Sequence, residues 1–326
     1  MRDSFRADRL SSSDELTVPM QTTSSPAAVP SHHISVCICT FKRPELLKRL
    51  LDGLASQKTE GRFTYSAVVA DNDPAQSARQ VSAEFSCTAK LPITYCTESQ
   101  PNIALARNKA LQHAQGDLIA FIDDDELPTP DWLCQLFKTR AAAEVAGVLG
   151  PVKPYFEIEP PAWIRKGGFF ERPTHPTGFK MHWSECRTGN VLFSSSILTG
   201  VDPPFRTEFN TAGEDVDFFR RMADKGYEFL WCDEAAVNEV VPPSRCTRRF
   251  LLRRALLRGS NFSKHPTHRF RNGAKSLIAV PCYALSLPIL ALFGQHVFLK
   301  YLVKLLDHVS RLMAFAGLPL VTERQN

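Results

Sequence analysis

Apolar and polar positions along the chain predict strands and helices in alternation. Short apolar runs rich in β-branched residues and bounded by turn-forming residues predict buried strands at 34–40, 65–73, 92–97, 118–122 and 147–152. Apolar residues at helical spacing predict helices between these strands, over 44–57, 75–85, 102–114 and 131–143. This alternation is typical of an α/β fold, in which a mostly parallel sheet carries helices on both faces.

Polar residues follow three of the predicted strands where each strand ends. Thr40 ends the first strand, Asp71 and Asp73 end the second, and three consecutive aspartates, 123–125, follow the fourth. Ligands of parallel sheets bind at the carboxyl ends of the strands. These side chains are therefore expected to line one ligand site.

The aspartate run 123–125 is the strongest chemical signal in the sequence. Aspartates are common in turns and at helix N-caps, and Asp131 fits that ordinary role. Three adjacent carboxylates, however, repel one another unless a positive charge offsets them. Mg²⁺ or Mn²⁺ takes oxygen ligands, often one or two carboxylates together with phosphate oxygens. The run predicts an Mg²⁺ or Mn²⁺ site shared with a ligand that carries phosphates.

Seven short motifs, in their order and spacing, resemble the family 2 glycosyltransferases over about 34–259. They are 36-VCICTFKRPELLKRLL-51, 68-VVADND-73, 102-NIALARNKAL-111, 121-FIDDDELP-128, 188-TGNVLFS-194, 213-GEDVDFFRRM-222 and 239-EVVPPSR-245. The resemblance implies an inverting, nucleotide-sugar-dependent enzyme with the glycosyltransferase A fold. The most similar subgroup is the bacterial exopolysaccharide type, which builds lipid-linked oligosaccharides.

The resemblance also implies which residues bind the nucleotide. Thr40 and the start of the first helix, with Arg43, would line the nucleotide pocket. Asp71 would hydrogen-bond the base, uracil or another, and Arg107 would lie beside the nucleotide.

Asp123 and Asp125 match the D-x-D pair of that family. The first would face the ribose, and the second would bind the metal, with Asp123 as a further candidate ligand. Asp124 belongs to the same donor site, although strand alternation is expected to turn its side chain away.

On the acceptor side, the resemblance implies that Gly189 and Asn190 contact the acceptor and that Asp215 is the general base. Glu214 is the alternate, acceptor-binding carboxylate. Acidic first turns are also common on helices for electrostatic reasons. Asp217, two residues further on, is expected to pair with an arginine at 220 or 221.

Two features depart from related enzymes. Many relatives have a histidine metal ligand after the acidic helix, whereas 236–245 contains none; either Glu239 replaces it or the metal has fewer protein ligands. The Q-x-x-R-W signature of processive synthases is also missing, which favours addition of a single sugar.

Basic residues are concentrated after this region. The net charge is only +5, but 245–275 contains ten Lys and Arg and no Asp or Glu. Arg245 is expected to neutralise the departing diphosphate, and the others to meet anionic lipid headgroups. A solvated cationic face is the ordinary alternative. Nucleic-acid binding is disfavoured because no aromatic residues for base stacking interleave the arginines.

The segment 277–299 contains no charged residue and, as one helix, would measure roughly 34 Å, enough to cross a bilayer. The amphipathic segment 297–316 follows. A re-entrant or interfacial helical hairpin is favoured because it leaves both cationic flanks at the cytosolic surface. A single crossing and a helix buried in a dimer are the alternatives. The sequence thus predicts a disordered leader, 1–31, a catalytic domain, 32–259, and a membrane-associated segment, 260–326.

Together these observations predict a glycosyltransferase at the cytoplasmic face of the inner membrane. It would transfer one sugar, with UDP as the expected nucleotide, to a lipid-linked or other saccharide acceptor. A nucleotidyl or phosphoryl transferase using the same acidic cluster is one alternative, and a non-catalytic membrane-associated module is another. The segment 154–183, rich in Pro, Gly and aromatic residues, is expected to form the acceptor loop.

Overall fold

A computed structural model describes residues 32–88, 91–209, 213–262, 269–318 and 320, and the predicted leader lies outside them. The described residues form ten strands: β1 (His32–Thr40), β2 (Phe63–Asp71), β3 (Ile93–Thr97), β4 (Leu118–Ile122), β5 (Glu126–Pro128), β6 (Gly147–Leu149), β7 (Val152–Tyr155), β8 (Asn190–Ser194), β9 (Phe229–Trp231) and β10 (Val237–Val240). They also form nine α-helices: α1 (Pro44–Ala55), α2 (Arg79–Thr88), α3 (Ile103–His113), α4 (Trp132–Ala143), α5 (Ala162–Gly167), α6 (Glu214–Asp224), α7 (Arg248–Phe262), α8 (Arg269–Ala291) and α9 (Gln295–Phe315).

Within the described residues, seven strands form a central sheet in the order β3-β2-β1-β4-β8-β6-β9. All neighbours in it are parallel except β8, which runs antiparallel to both β4 and β6. A smaller sheet has the order β5-β10-β7. The predicted α/β class with a mostly parallel sheet is confirmed, whereas the antiparallel strand and the second sheet were not predicted.

Two predicted boundaries are wrong for local physical reasons. Helix α2 begins at Arg79 and not near 75, because the carboxylates of Asp71 and Asp73 accept hydrogen bonds from the backbone N–H groups of Ala78 and Ala75. These bonds hold the chain between residues 73 and 78 in turns, so the helix begins only at Arg79. The predicted strand 147–152 is split into β6 and β7, which belong to different sheets.

Two apolar clusters cover the two faces of the central sheet. One packs α1 and α4 against it, with Leu50 and Trp132 fully buried. The other packs α3 and α6 against the opposite face, with Phe218 and Phe219 fully buried. Because both faces are covered, β4 and most of β1 and β2 carry apolar residues on both sides. Polar residues lie at or just after the carboxyl ends of these strands.

Helices α8 and α9 form an antiparallel hairpin that packs on α7. Ser276 lies 2.9 Å from Nδ1 of His308, and Arg258 donates to Asp307 at 3.0 Å. The predicted apolar segment 277–299 is therefore not one helix. Within α8, residues 273–291 have a mean hydropathy of 1.6 and are only 6% buried, so by length and composition this segment could span a membrane.

Candidate active site

The aspartate run forms a turn after β4 and does not continue the strand. The backbone N–H of Glu126 donates to the carbonyl of Asp123 at 3.1 Å, and the Glu126 carboxylate accepts from the Asp123 N–H at 3.0 Å. Strand alternation consequently does not apply to the run. The expectation that Asp124 points away from Asp125 is wrong, since both carboxylates contact Arg43.

Arginines offset the charge of this turn. Asp124 is buried and accepts from the Thr40 hydroxyl at 2.8 Å and from Arg43 at 2.9 Å. Asp125 is bound by Arg43 at 3.1 Å and by Arg245 at 3.3 Å. Burial raises the pKa of Asp124 to about 6, although the neighbouring Arg43 guanidinium acts in the opposite direction. Thr40, Arg43 and Arg245, which the sequence placed in the nucleotide site, thus lie together beside the acidic turn.

Glu239 faces this turn from β10, where it pairs with Glu126 of β5 in antiparallel register. Its carboxylate is bound by Arg245 at 3.2 Å and by Arg172. The sequence analysis missed Arg172, because it lies in a segment without periodicity or a motif. Only the fold brings Arg172 to the acidic turn.

The oxygen donors of this turn suit a hard cation that takes most of its ligands from phosphate. Within the described parts of the chain, no group of three or more His, Cys, Asp or Glu residues is arranged to hold a metal ion. Asp125 and the more exposed Asp123 supply carboxylate oxygens only. Mg²⁺ and Mn²⁺ are bound in this way when diphosphate oxygens complete the shell.

A buried arginine links the acidic turn to the first turn of α6. Arg107 is 7% exposed; it binds Glu214 directly and lies 3.8 Å from an Asp123 oxygen. Its guanidinium also lies over the Phe205 ring, 5.7 Å from the centroid. The surrounding carboxylates, led by Glu214, raise the pKa of Arg107 despite its burial, so it remains charged. Arg107 therefore holds the acidic turn and the first turn of α6 in a fixed relative position.

The two predicted catalytic carboxylates, in the first turn of α6, differ in how deeply they are buried. Gly213 precedes the helix with φ at 104°, a conformation that favours glycine. Glu214 is buried, and one of its oxygens has no hydrogen-bond partner among the described residues. Asp215 is less buried, with 14% of its side chain exposed, and lies 3.8 Å from Arg187. Asp215 is thus the carboxylate with access to a ligand.

The predicted pairing of Asp217 is confirmed. Asp217 is buried and contacts Arg221 at 2.8 Å, Arg220 at 3.5 Å and Arg206 at 3.6 Å. These ion pairs hold α6 in place and occupy the Asp217 carboxylate. The role of Asp217 is therefore different from the roles considered for Glu214 and Asp215.

Gly189 and Asn190 lie behind the acidic turn. A Cβ at Gly189 would lie 2.7 Å from a Glu126 oxygen and 3.2 Å from an Asp123 oxygen, so a larger residue would displace these carboxylates. The Asn190 amide is buried, accepting from Trp132 and donating to the carbonyls of Pro151 and Ala235. Its hydrogen-bonding groups are occupied by the core, and a contact between this pair and an acceptor stays a prediction.

Asp71 is the last residue of β2, at the carboxyl end of the sheet. Its carboxylate is fully buried and accepts from the N–H groups of Asp73 and Ala78 and from the Tyr95 hydroxyl. Three donors from the protein already fix both oxygens. A hydrogen bond from Asp71 to a base therefore stays a prediction.

A cavity of about 430 Å³ opens between the loop that contains Arg172 and helix α7. Glu239 and Arg187 line it, so it borders both the acidic turn and the neighbourhood of Asp215. Phe169 and Phe170 of the predicted acceptor loop line it as well, although Phe169 also packs edge-on against Trp163.

The chain is similar to known proteins in sequence and in fold. Residues 35–196 match the family model described as Glycosyl transferase family 2. The chain is 34% identical over 236 residues to the succinoglycan biosynthesis protein ExoM of Rhizobium meliloti (strain 1021), covering 71% of this chain and 74% of ExoM. This chain belongs to glycosyl transferase family 2.

A second relative is a glycosyltransferase, and solved structures share the fold. Glycosyltransferase AglE of Haloferax volcanii is 25% identical over 202 residues, which is 62% of this chain and 64% of AglE. Among solved structures, the mannosyltransferase PcManGT of Pyrobaculum calidifontis, in complex with GDP-Man and Mn²⁺, has a TM-score of 0.59 at 20% identity, covering 89% of this chain and 87% of that one. S. aureus TarS 1–349 in complex with UDP has a TM-score of 0.51 at 16% identity, covering 87% and 90%.

As a family 2 member, the chain is a glycosyltransferase with the glycosyltransferase A fold that the sequence predicted. The matched segment contains the acidic turn, Arg107 and Gly189. The matched segment ends before Asp215, Glu239 and Arg245. Any role of these three residues is inferred from the geometry described above.

Proposed function

We propose that this family 2 enzyme transfers a single sugar, with inversion, from a nucleoside diphosphate sugar to a lipid-linked saccharide during exopolysaccharide synthesis. The observation that carries the proposal is the chain of contacts from Asp123 through Arg107 to Glu214. It holds a diphosphate-binding turn and a carboxylate-bearing helix against each other, as the attack of an acceptor on a donor requires. The similarity to ExoM, a succinoglycan biosynthesis protein, supports the exopolysaccharide role.

Asp215 is the proposed general base. An acceptor hydroxyl must lose its proton as it attacks the anomeric carbon, and a carboxylate within hydrogen-bond reach removes it. Asp215 is the more exposed member of the α6 pair and lies near Arg187 at the cavity. Glu214, buried against Arg107, would position this turn.

The donor would lie over the acidic turn. Asp125, with Asp123, would hold Mg²⁺ or Mn²⁺, which stabilises the charge of the departing diphosphate. Arg43 and Arg245 bind Asp125 in this structure and lie where they would also face that diphosphate. UDP is the proposed nucleotide, in keeping with the UDP complex of TarS.

The acceptor would be held at the cytoplasmic membrane surface. The apolar, mostly exposed segment 273–291 of α8 would enter or cross the bilayer. The arginines of the adjacent α7 would meet anionic headgroups, each contributing about 1 kcal/mol near the surface.

A comparison of two Asp→Asn variants of one helix tests the proposal. Asp215→Asn should reduce sugar transfer from UDP-sugars by at least about 100-fold, within the range of general-base effects, and leave UDP binding unchanged. Asp224→Asn, at the exposed end of α6, should behave as the unmodified protein. Normal transfer by Asp215→Asn would refute the base assignment. Release of sugar 1-phosphate would indicate nucleotidyl transfer, and release of nucleoside monophosphate would indicate transfer of a sugar phosphate, both in place of glycosyl transfer.

A further inference from the structure

The cavity beside α7 is lined by four arginines and by Glu171, Glu185 and Glu239, and it borders the acidic turn through Glu239. Arg172, Arg187, Arg254 and Arg258 line it. Its lining, as far as the structure describes the chain, begins at Leu149 and so includes no residue of the first four strands or of the acidic turn. An anion held at Arg254 would therefore not contact the carboxylates of the acidic turn, where the donor diphosphate is proposed to bind.

Arg172, Arg187 and Arg258 each form an ion pair with an acidic residue, whereas Arg254 forms none within the described parts of the chain. Arg172 is bound to Glu239, and Arg258 donates to Asp307. No hydrogen bond or ion pair joins Arg254 to the parts of the chain that the structure describes, although it lines the cavity. A guanidinium presents five donors suited to phosphate, so Arg254 is an open anion contact.

The electrostatic environment of Arg254 agrees with this interpretation. Partial desolvation lowers the pKa of Arg254, and the guanidinium groups of Arg258, Arg172 and Arg245 lower it further. Glu239, the strongest of these neighbouring charges, acts in the opposite direction and raises the pKa of Arg254. Positive charges that repel one another at one wall are stabilised when an anion enters between them.

We propose that this cavity binds the phosphate or diphosphate ester of the acceptor, with Arg254 as the principal contact. The inference rests on the proposed function, because it gives the acceptor a charged group next to the saccharide that Asp215 would activate. Phe169 and Trp231, which line the same cavity, offer apolar faces to that saccharide.

The position of the cavity favours a lipid ester over a soluble sugar phosphate. Val303 of α9 lines the cavity, and α9 packs along α8, where the Tyr283 and Tyr301 rings lie 5.8 Å apart. Helix α8 carries the exposed apolar surface of this region, including Leu285, which is 79% exposed. A hydrocarbon chain attached to the bound phosphate would reach apolar surface directly.

Binding of farnesyl diphosphate to the full-length protein tests the inference, measured by calorimetry without metal and without nucleotide. Arg254→Gln should weaken binding about tenfold, as expected for loss of a hydrogen bond to a charged group, and Arg254→Lys should weaken it less. Arg62→Gln is the control, since Arg62 is an exposed arginine outside α7 that does not line the cavity. Its affinity should equal that of the unmodified protein.

Several outcomes would overturn the inference. Unchanged affinity in Arg254→Gln, or an equal loss in Arg62→Gln, would show that no specific contact exists. Competition between UDP with Mn²⁺ and farnesyl diphosphate would assign the cavity to the donor. Equal affinity for inorganic pyrophosphate would refute the lipid ester. Absence of UDP-sugar turnover would instead refute the proposed function, a result that these binding measurements distinguish.

Discussion

Arg107 of α3 binds Glu214 at the start of α6, and 107 positions of sequence separate the two residues. Both side chains are more than nine-tenths buried. Burial raises the pKa of Glu214, and the Arg107 guanidinium opposes this effect. The pair joins the half of the chain that carries the acidic turn to the half that carries the proposed base.

Loss of this arginine should destabilise the fold. Arg107→Met leaves the Glu214 carboxylate buried without its partner, and removing one member of a buried pair costs about 3–5 kcal/mol of unfolding free energy. Urea denaturation followed by circular dichroism measures it. Arg62→Met is the control, because Arg62 is about half exposed and forms only a surface ion pair with Glu60, so less than about 1 kcal/mol should be lost. Similar losses in both variants would contradict the role given to Arg107.

Adding one methyl group behind the acidic turn should impair the enzyme. In Gly189→Ala, the new Cβ would lie 2.7 Å from an oxygen of Glu126, so this fully buried carboxylate would have to shift. We expect a loss of about 1–3 kcal/mol of unfolding free energy, as for other overpacked sites, together with a lower rate of transfer. Thermal unfolding and activity assays measure the two effects. Gly273→Ala in α8 meets only Phe315 at 3.9 Å and should be neutral or slightly stabilising.

Sugar transfer should require a divalent cation bound through Asp125. Asp125→Asn keeps the size of the side chain but removes the charge that attracts the cation. We expect Mn²⁺ binding in the presence of UDP, followed by electron paramagnetic resonance, to be lost together with transfer. Asp131→Asn, at an exposed aspartate beside Lys58, should leave both unchanged. Undiminished Mn²⁺ binding by Asp125→Asn would exclude this residue as a ligand.

Stability should fall at alkaline pH through Tyr95. Burial raises the pKa of the Tyr95 phenol to about 12, and the hydrogen bond to Asp71 acts in the same direction. The ordinary value is about 10, so between about pH 10 and 12 the native state holds a proton that the unfolded state has lost. The free energy of unfolding therefore falls as pH rises through this window. Tyr95→Phe should flatten this dependence in urea titrations at several pH values, and an unaltered slope would contradict it.

The exposed face of α8 should govern association with membranes. Leu285→Glu places a charge near the middle of the apolar segment 273–291, where a charged residue costs about 2.5 kcal/mol or more in a bilayer. We expect weaker flotation with phosphatidylglycerol vesicles. Ile158→Glu, at a residue 66% exposed outside this helix, is the control and should float normally. If Leu285→Glu floats equally well, α8 does not enter the bilayer.

The sequence by itself determined the alternation of strands and helices, the aspartate run and the acidic first turn of α6. These are local properties, because periodicity, turn residues and helix termini depend on neighbours a few positions apart. The strand 118–122 was predicted with its observed bounds, and the pairing of Asp217 with residues three and four positions ahead followed from helix geometry.

Only the tertiary structure decided which distant residues meet. The contact of Arg107 with Glu214, the approach of Arg172 to Glu239 and the antiparallel insertion of β8 join segments far apart in the chain. Because residues 123–126 form a turn, the Asp124 side chain does not point in the direction that strand alternation predicts. Such contacts depend on the packing of whole elements, which no local pattern of residues encodes.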